Sequence, residues 1–351
     1  MRSLIFSGAC LVFALAASAQ QADAAPPHNC PPPAPELTPL VLAQLRSTAK
    51  DVGPLWRLEK DGRVSWLYGT IHVGALEWQV PGPKVRDALK ASDTLALEAN
   101  LSLLPPAIAA AGVPSHALRI DSANAAQVPQ KLAVQIDRFC AVPATPPGSY
   151  NAWLNTLSPE KYLRWIASVF AQRSGLFYSF GIEHVLIRQA VDMNKPIAEL
   201  EKAEDRLAYA NLVNQRIHHL SHIAAASGPT ESNEAEKSSG KFSAFAMLLE
   251  ESVLAQLESG VAPVAAAWAA AQSADCTDRR SWCWEDAAPS ASDLLEKKAN
   301  LQRESRMADA LSQLHDAGQQ VFAAVGMAHV EPSRLPALMR ARGFIVEFVR
   351  N

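Results

Sequence analysis

Two segments near opposite ends of the sequence finish an apolar run in the same pattern. Trp66-Leu67-Tyr68-Gly69-Thr70-Ile71-His72-Val73 and Ala323-Ala324-Val325-Gly326-Met327-Ala328-His329-Val330 each carry G-x-x-H beyond a run of strand-forming residues. A third such run, Thr94-Leu95-Ala96-Leu97, is followed directly by a carboxylate, Glu98. Two imidazoles and a carboxylate (His72, His329 and Glu98) are a ligand set for a divalent transition metal such as Mn, Co or Zn, with positions left open for water and substrate. A metal so held lowers the pKa of bound water and polarises a carbonyl, the requirements of hydrolysis. Glu98 has two roles open to it, ligand or general base.

That chemistry needs the three strands to be neighbours. In a parallel α/β sheet, ligands bind beyond the carboxyl ends of the strands, where Gly lets the backbone turn tightly and approach a ligand. Around the candidate residues the pattern supplies suitable elements. Leu55–Leu58 and Val64–Tyr68 flank Lys60-Asp61-Gly62-Arg63 and predict a hairpin with Asp-Gly at its turn. A helix is expected from about Pro83 to Ala91 and a strand from Thr94 to Glu98. Apolar residues at i, i+3, i+4 spacing predict helices over 159–173, 181–194, 201–223, 242–259 and 290–315. The C-terminus reads as a strand (321–325), a helix (333–342) and a strand (344–349), a β-α-β unit that implies parallel pairing and a helix-covered sheet. The expected class is α/β: a mixed sheet with a parallel core, flanked by helices, with a large helical insertion over about 155–270.

The N-terminus has the form of a secretory signal. Arg2 precedes an apolar run from Leu4 to Ala17, and Ala17-Ser18-Ala19 is a small-x-small cleavage pattern, with Ala22-Asp23-Ala24 as an alternative. A membrane anchor needs about 20 apolar residues, more than this run supplies. Cleavage after 19 (or 24) leaves a Pro-rich arm over 25–39 and one folded unit over 40–351, and places the chain outside the cytoplasm, periplasmic or secreted. It also removes Cys10 from a set of five and leaves Cys30, Cys140, Cys276 and Cys283. An even number in an oxidising compartment predicts two disulfides with three connectivities open. Cys276 and Cys283 are near enough to close a small loop, which leaves Cys30 for Cys140; the scattered spacing lacks the knuckles of a structural zinc site.

Several function classes are excluded by what is missing. With 32 Lys+Arg against 35 Asp+Glu the net charge is −3, so no global basic field is available to hold nucleic acid. No G-x-S-x-G, G-x-G-x-x-G, P-loop or H-E-x-x-H motif is present. No further apolar run reaches membrane-spanning length, so no stable membrane insertion is expected after cleavage. His218 and His222 stand at i, i+4 on an expected helix, without a third ligand nearby. Trp282-Cys283-Trp284 reads either as a binding platform or as a stapled loop with Trp packed on sulfur. His184 reads as an ordinary helical histidine.

The residues resemble a known family. Leu55-Trp56 leading into Leu67-Tyr68-Gly69-Thr70-Ile71-His72-Val73-Gly74, then Leu95–Glu98, Gly181-Ile182-Glu183-His184, Lys195–Glu201 and Val325–Val330 are similar, in that order, to the TraB/GumN family. That family includes the animal TIKI proteins, membrane-bound metalloproteases that cleave Wnt ligands. The resemblance implies an active site of His72, Glu98 and His329, with Gly69 and Gly326 shaping the turns. It also implies an Arg-Asn pair opening the helix before the last G-x-x-H: Arg303 matches and is a candidate to stabilise an oxyanion, or else to make surface pairs, while Glu304 stands in place of Asn. The family's Gly-x-Asp is here Gly181-Ile182-Glu183. The expected function is metal-dependent, peptidase-like hydrolysis of an amide bond in a peptide or other small substrate. The competing reading is a non-catalytic periplasmic binding protein or pseudoenzyme serving envelope or polysaccharide assembly.

Overall fold

The computed structural model describes residues 34–99, 170–209, 262–272 and 294–350. The expected signal segment, most of the Pro-rich arm, the four cysteines with their expected disulfides, His218, His222, Trp282, Trp284 and the expected helix over 242–259 lie outside the described residues, as does most of the expected insertion.

Helix α1 (Pro39–Thr48) opens at Thr38, whose hydroxyl accepts from the Val41 amide. Strands β1 (Leu55–Lys60) and β2 (Arg63–Thr70) then pair antiparallel with Lys60 opposite Arg63. Asp61 and Gly62 are left as a two-residue turn at φ 52° and 70°, the double left-handed geometry that matches strand twist and that Asp-Gly favours. Helix α2 (Pro83–Ala91) has Pro in its first turn, and its free amides at Lys84 and Val85 donate to the two carboxylate oxygens of Asp51, 33 and 34 residues upstream. Strand β3 (Thr94–Leu97), helix α3 (Ile182–Asp192), strand β4 (Ile197–Glu199), helix α4 (Leu294–Asp316), strand β5 (Val321–Gly326), helix α5 (Leu335–Ala341) and strand β6 (Ile345–Phe348) follow.

The strands form one mixed six-stranded sheet in the order β4-β3-β5-β2-β1-β6. β4, β3, β5 and β2 pair parallel, and β1 pairs antiparallel with β2 and with β6. The expected parallel pairing of the two C-terminal strands is corrected here: β5 and β6 run in the same direction, but β2 and β1 lie between them. Val321 to Val325 are all buried and are consumed on both edges by β3 and β2. β6, by contrast, alternates exposed and half-buried residues and sits at the rim.

Alternation along β5 separates two cores. Phe322 and Ala324, with Leu95 and Leu97, pack against Val85 and Leu89 of α2, Ile182 and Leu186 of α3, and Trp268. Val321, Ala323 and Val325 face the other way, onto Met307, Ala308 and Leu311 of α4 and Leu335 and Met339 of α5. Helices therefore cover both faces of the parallel core, as its unbroken apolar strands require. The end of α4 is pinned by a buried polar link. The Val321 amide donates to Ser65 Oγ at 3.0 Å across 256 residues of sequence, and Ser65 Oγ lies 2.9 Å from His315 Nδ1. His315 Nε2 is 3.1 Å from the Lys60 carbonyl, which only accepts, so Nε2 carries a proton and in the neutral ring Nδ1 accepts from Ser65. Among the described residues no helix is long and apolar enough to cross a membrane.

Candidate functional site

Because β3, β5 and β2 are adjacent and parallel, their carboxyl ends share one edge of the sheet, and each delivers one of the three residues singled out by the sequence. Glu98 continues β3, its amide donating to the Ala324 carbonyl of β5 at 3.0 Å. The Gly326 amide, ending β5, donates to Glu98 Oε2 at 2.9 Å; a Cβ on Gly326 would stand 3.3 Å from that oxygen. Arg303 of α4 donates through Nη2 to Glu98 Oε1 at 2.8 Å. Burial pushes the Glu98 carboxyl up, but the charges of His329 and Arg303, the Gly326 amide and the charge of His72 outweigh it and hold the pKa at about 2.

His329 lies on the single helical turn Met327–Val330 that follows β5. Its Nε2 is 3.8 Å from Glu98 Oε1, beyond hydrogen-bond length, and its Nδ1 is 2.8 Å from Oε1 of the fully buried Glu304. The same Glu304 oxygen receives Arg334 Nη2 at 2.6 Å. His72 stands two residues past β2, with Nδ1 3.0 Å from Glu183 Oε1, which also accepts from Thr70 Oγ1 at 2.6 Å. Glu183 is in the first turn of α3, docked there because the Ile182 amide donates to the Ile71 carbonyl. Burial raises the Glu183 carboxyl, and His72 together with the Thr70 hydroxyl brings it below its ordinary value. The side chain of His72 is 67% exposed against 10% for His329, so one imidazole faces solvent and the other is largely buried.

Arg303 is not a surface residue of a charged helix. Its guanidinium grips Glu201 through Nε (2.5 Å) and Nη2 (3.0 Å), reaches Asn300 Oδ1 through Nη1, and lies 4.3 Å over the Tyr209 ring. With the bond to Glu98, four of its five N–H groups are engaged. Burial lowers its pKa, and Glu201 and Glu98 more than reverse this. The structure thus sets Arg303 against Glu98 as a fixed counter-charge.

The two motif glycines do different work. Gly326 supplies an N–H to Glu98. Gly69 lies where three segments cross: it donates to the Pro54 carbonyl, accepts from Trp268 Nε1 at 2.8 Å, and a Cβ there would come within 2.6 Å of Pro54 and of Val330, the neighbour of His329. His184 packs its ring on Tyr178, 5.8 Å between centroids, and burial lowers its pKa.

Direct contacts join Glu98, His329 and Arg303, while His72 acts on Glu98 through its charge. Among the described residues no group of three or more His, Cys, Asp or Glu is placed to hold a metal ion. The 3.8 Å from His329 Nε2 to Glu98 Oε1 is nonetheless less than the sum of two bonds to a zinc-sized ion, each about 2.0–2.2 Å, so this pair can reach one ion together.

Sequence reasoning assigned no role to Glu201, Thr70, Tyr209 or Arg334, and noted Glu183 and Glu304 only as departures from a pattern. Glu304 did leave a trace: it falls three, four and seven residues before Met307, Ala308 and Leu311, on the apolar stripe of α4, where a carboxylate needs a reason to be. Glu201 follows β4, a strand too short to be picked out by periodicity.

A family model described as TraB/PrgY/gumN family matches residues 54–348, from the start of β1 to the end of β6. Neither a curated protein nor a solved structure matches the chain.

Proposed function

The chain belongs to the TraB/PrgY/gumN family, and we propose that it is an exported, metal-dependent hydrolase of amide bonds in peptides or other small substrates. The observation that carries this reading is that both G-x-x-H motifs and Glu98 follow the carboxyl ends of three adjacent parallel strands, with His329 Nε2 and Glu98 Oε1 close enough to share one ion. His329 and Glu98 are the residues close enough to hold it together, and His72, at the end of the neighbouring strand, would complete the set only by moving toward them; Mn, Co and Zn all suit two imidazoles and a carboxylate. The chemistry such an ion supplies when bound is Lewis-acid polarisation of a carbonyl and acidification of a water.

The surrounding residues support distinct tasks. Arg303 and the Gly326 amide, whose hydrogen bonds favour the charged carboxylate whatever the state of the imidazoles, favour Glu98 as ligand over Glu98 as general base. Gly326 fixes Oε2 and Arg303 fixes Oε1, so the carboxylate is oriented before any ligand arrives. Arg303, with most of its donors committed, orients Glu98 rather than a developing oxyanion. The exposed ring of His72 stands where substrate would enter.

The full pairing of Glu98 by Arg303 and Gly326 also favours a second reading, a binding protein or pseudoenzyme whose site is neutralised from within. Elemental analysis of the mature protein after incubation with Mn, Co or Zn separates the two. The hydrolase reading expects about one ion per chain in the wild type and loss of that ion in the His72→Ala/His329→Ala double variant. Wild-type protein that retains no metal would overturn it.

A further inference from the structure

The two imidazoles come from opposite ends of the sequence, yet both are held in the same way. His72 Nδ1 meets Glu183 Oε1 at 3.0 Å, and His329 Nδ1 meets Glu304 Oε1 at 2.8 Å. The two glutamates belong to different helices, α3 and α4, on opposite faces of the sheet. An ionised carboxylate only accepts hydrogen bonds. Glu304 is ion-paired with Arg334, and Glu183 takes the Thr70 hydroxyl proton into a hydrogen bond. In each pair, therefore, the ring nitrogen facing the carboxylate carries the proton. A free neutral imidazole in water favours the opposite arrangement, with its proton on Nε2.

We propose that Glu183 and Glu304 are positioning residues that hold His72 and His329 in the Nδ1–H form, so that both rings turn an unprotonated Nε2 toward the site. This rests on the reading that both imidazoles work together there. For His329 the direction is visible: Nε2 faces Glu98 Oε1. The brace around it is extensive, because Arg334 binds Glu304 through Nη2 and the Ala328 carbonyl through Nη1, gripping both the carboxylate and the backbone beside the imidazole. Glu304 also bears a cost that a merely structural residue would not need to carry: it is fully buried, and its Oε2 has no hydrogen-bond partner among the described residues. Fixing the tautomer of an imidazole through its far nitrogen is how outer carboxylates raise the ligand strength of histidine.

The test is long-range proton–nitrogen NMR on metal-free protein labelled at histidine, with the pH raised until the nitrogen shifts themselves show both rings neutral. The wild type is expected to show the Nδ1–H signature for both rings. Glu183→Ala should move His72 toward Nε2–H and leave His329 as it was; Glu304→Gln should perturb His329 and not His72. The wild-type spectrum and Glu183→Ala decide the matter if the buried Glu304 variant does not fold. An Nε2–H signature for the wild-type rings, or an unchanged His72 in Glu183→Ala, overturns the proposal. Zinc titration by calorimetry is the separate arm: Glu183→Ala is expected to weaken binding about 10–100-fold. A wild type that binds no zinc but shows both Nδ1–H signatures overturns the hydrolase reading and leaves the positioning role supported.

Discussion

Glu98 meets a guanidinium, a backbone amide and an imidazole at its own strand end, and each of these favours its charged form. Folding therefore lowers its pKa from 4.5 to about 2, despite the opposing effect of burial. A depressed carboxyl contributes stability that is present above its unfolded pKa and lost as the pH falls through the folded one. Urea midpoints of the wild type should accordingly decline between about pH 4.5 and pH 2, and Glu98→Gln, which has no proton to take up, should show a shallower decline over that window. A parallel decline in both proteins would show that Arg303 and Gly326 do not hold the carboxylate as described. At this scale the sequence was a good guide to which residues matter and a poor one to what they touch. Glu98, His72 and His329 could be picked out because each follows a local strand pattern. Their partners were not assigned: Glu183 pairs with His72 from 111 residues away and Arg303 with Glu98 from 205, and even the 25 residues between Glu304 and His329 are too many for a local pattern to record.

The elements were legible in proportion to how local their causes are. The Asp61-Gly62 turn, the Pro-initiated α2 and the apolar run of β5 are each determined within a few residues, and all three stand where the sequence put them. β4 was not assigned, since three residues carry no periodicity, and the neighbours of β6 were misjudged, since a β-α-β pattern gives direction without saying how many strands intervene. The Ser65–His315 link shows how far an element depends on distant chain. Ser65→Ala leaves the Val321 amide and His315 Nδ1 without their buried partner, at a cost of about 1–3 kcal/mol per unsatisfied group. Thermal unfolding of that variant should therefore begin several degrees below the wild type, while any zinc binding at the proposed site, at the other end of the sheet, should be unchanged.

At the scale of the whole molecule, β5 is the strand on which everything else converges: it joins β3 and β4 to β2 and β1, separates the two cores, and carries Gly326 to Glu98. A chain ending at Gly318 loses that centre and is expected to show no cooperative urea transition. Removal of residues 345–351, which takes away the rim strand β6 and leaves the core residue Phe344 in place, should lower the midpoint and preserve cooperativity. Equal behaviour of the two truncations would mean that the sheet does not depend on its central strand. The sequence by itself determined the α/β class, most of the strands and helices, and three chemically able residues at strand ends, because propensity, turn chemistry and apolar periodicity act over a few residues. Only the tertiary structure decided that β3, β5 and β2 are neighbours, that Arg303 opposes Glu98, and that each imidazole is backed by a glutamate. Those outcomes depend on long-range strand pairing and on which faces of α3 and α4 pack against the sheet, and no short stretch of sequence encodes them.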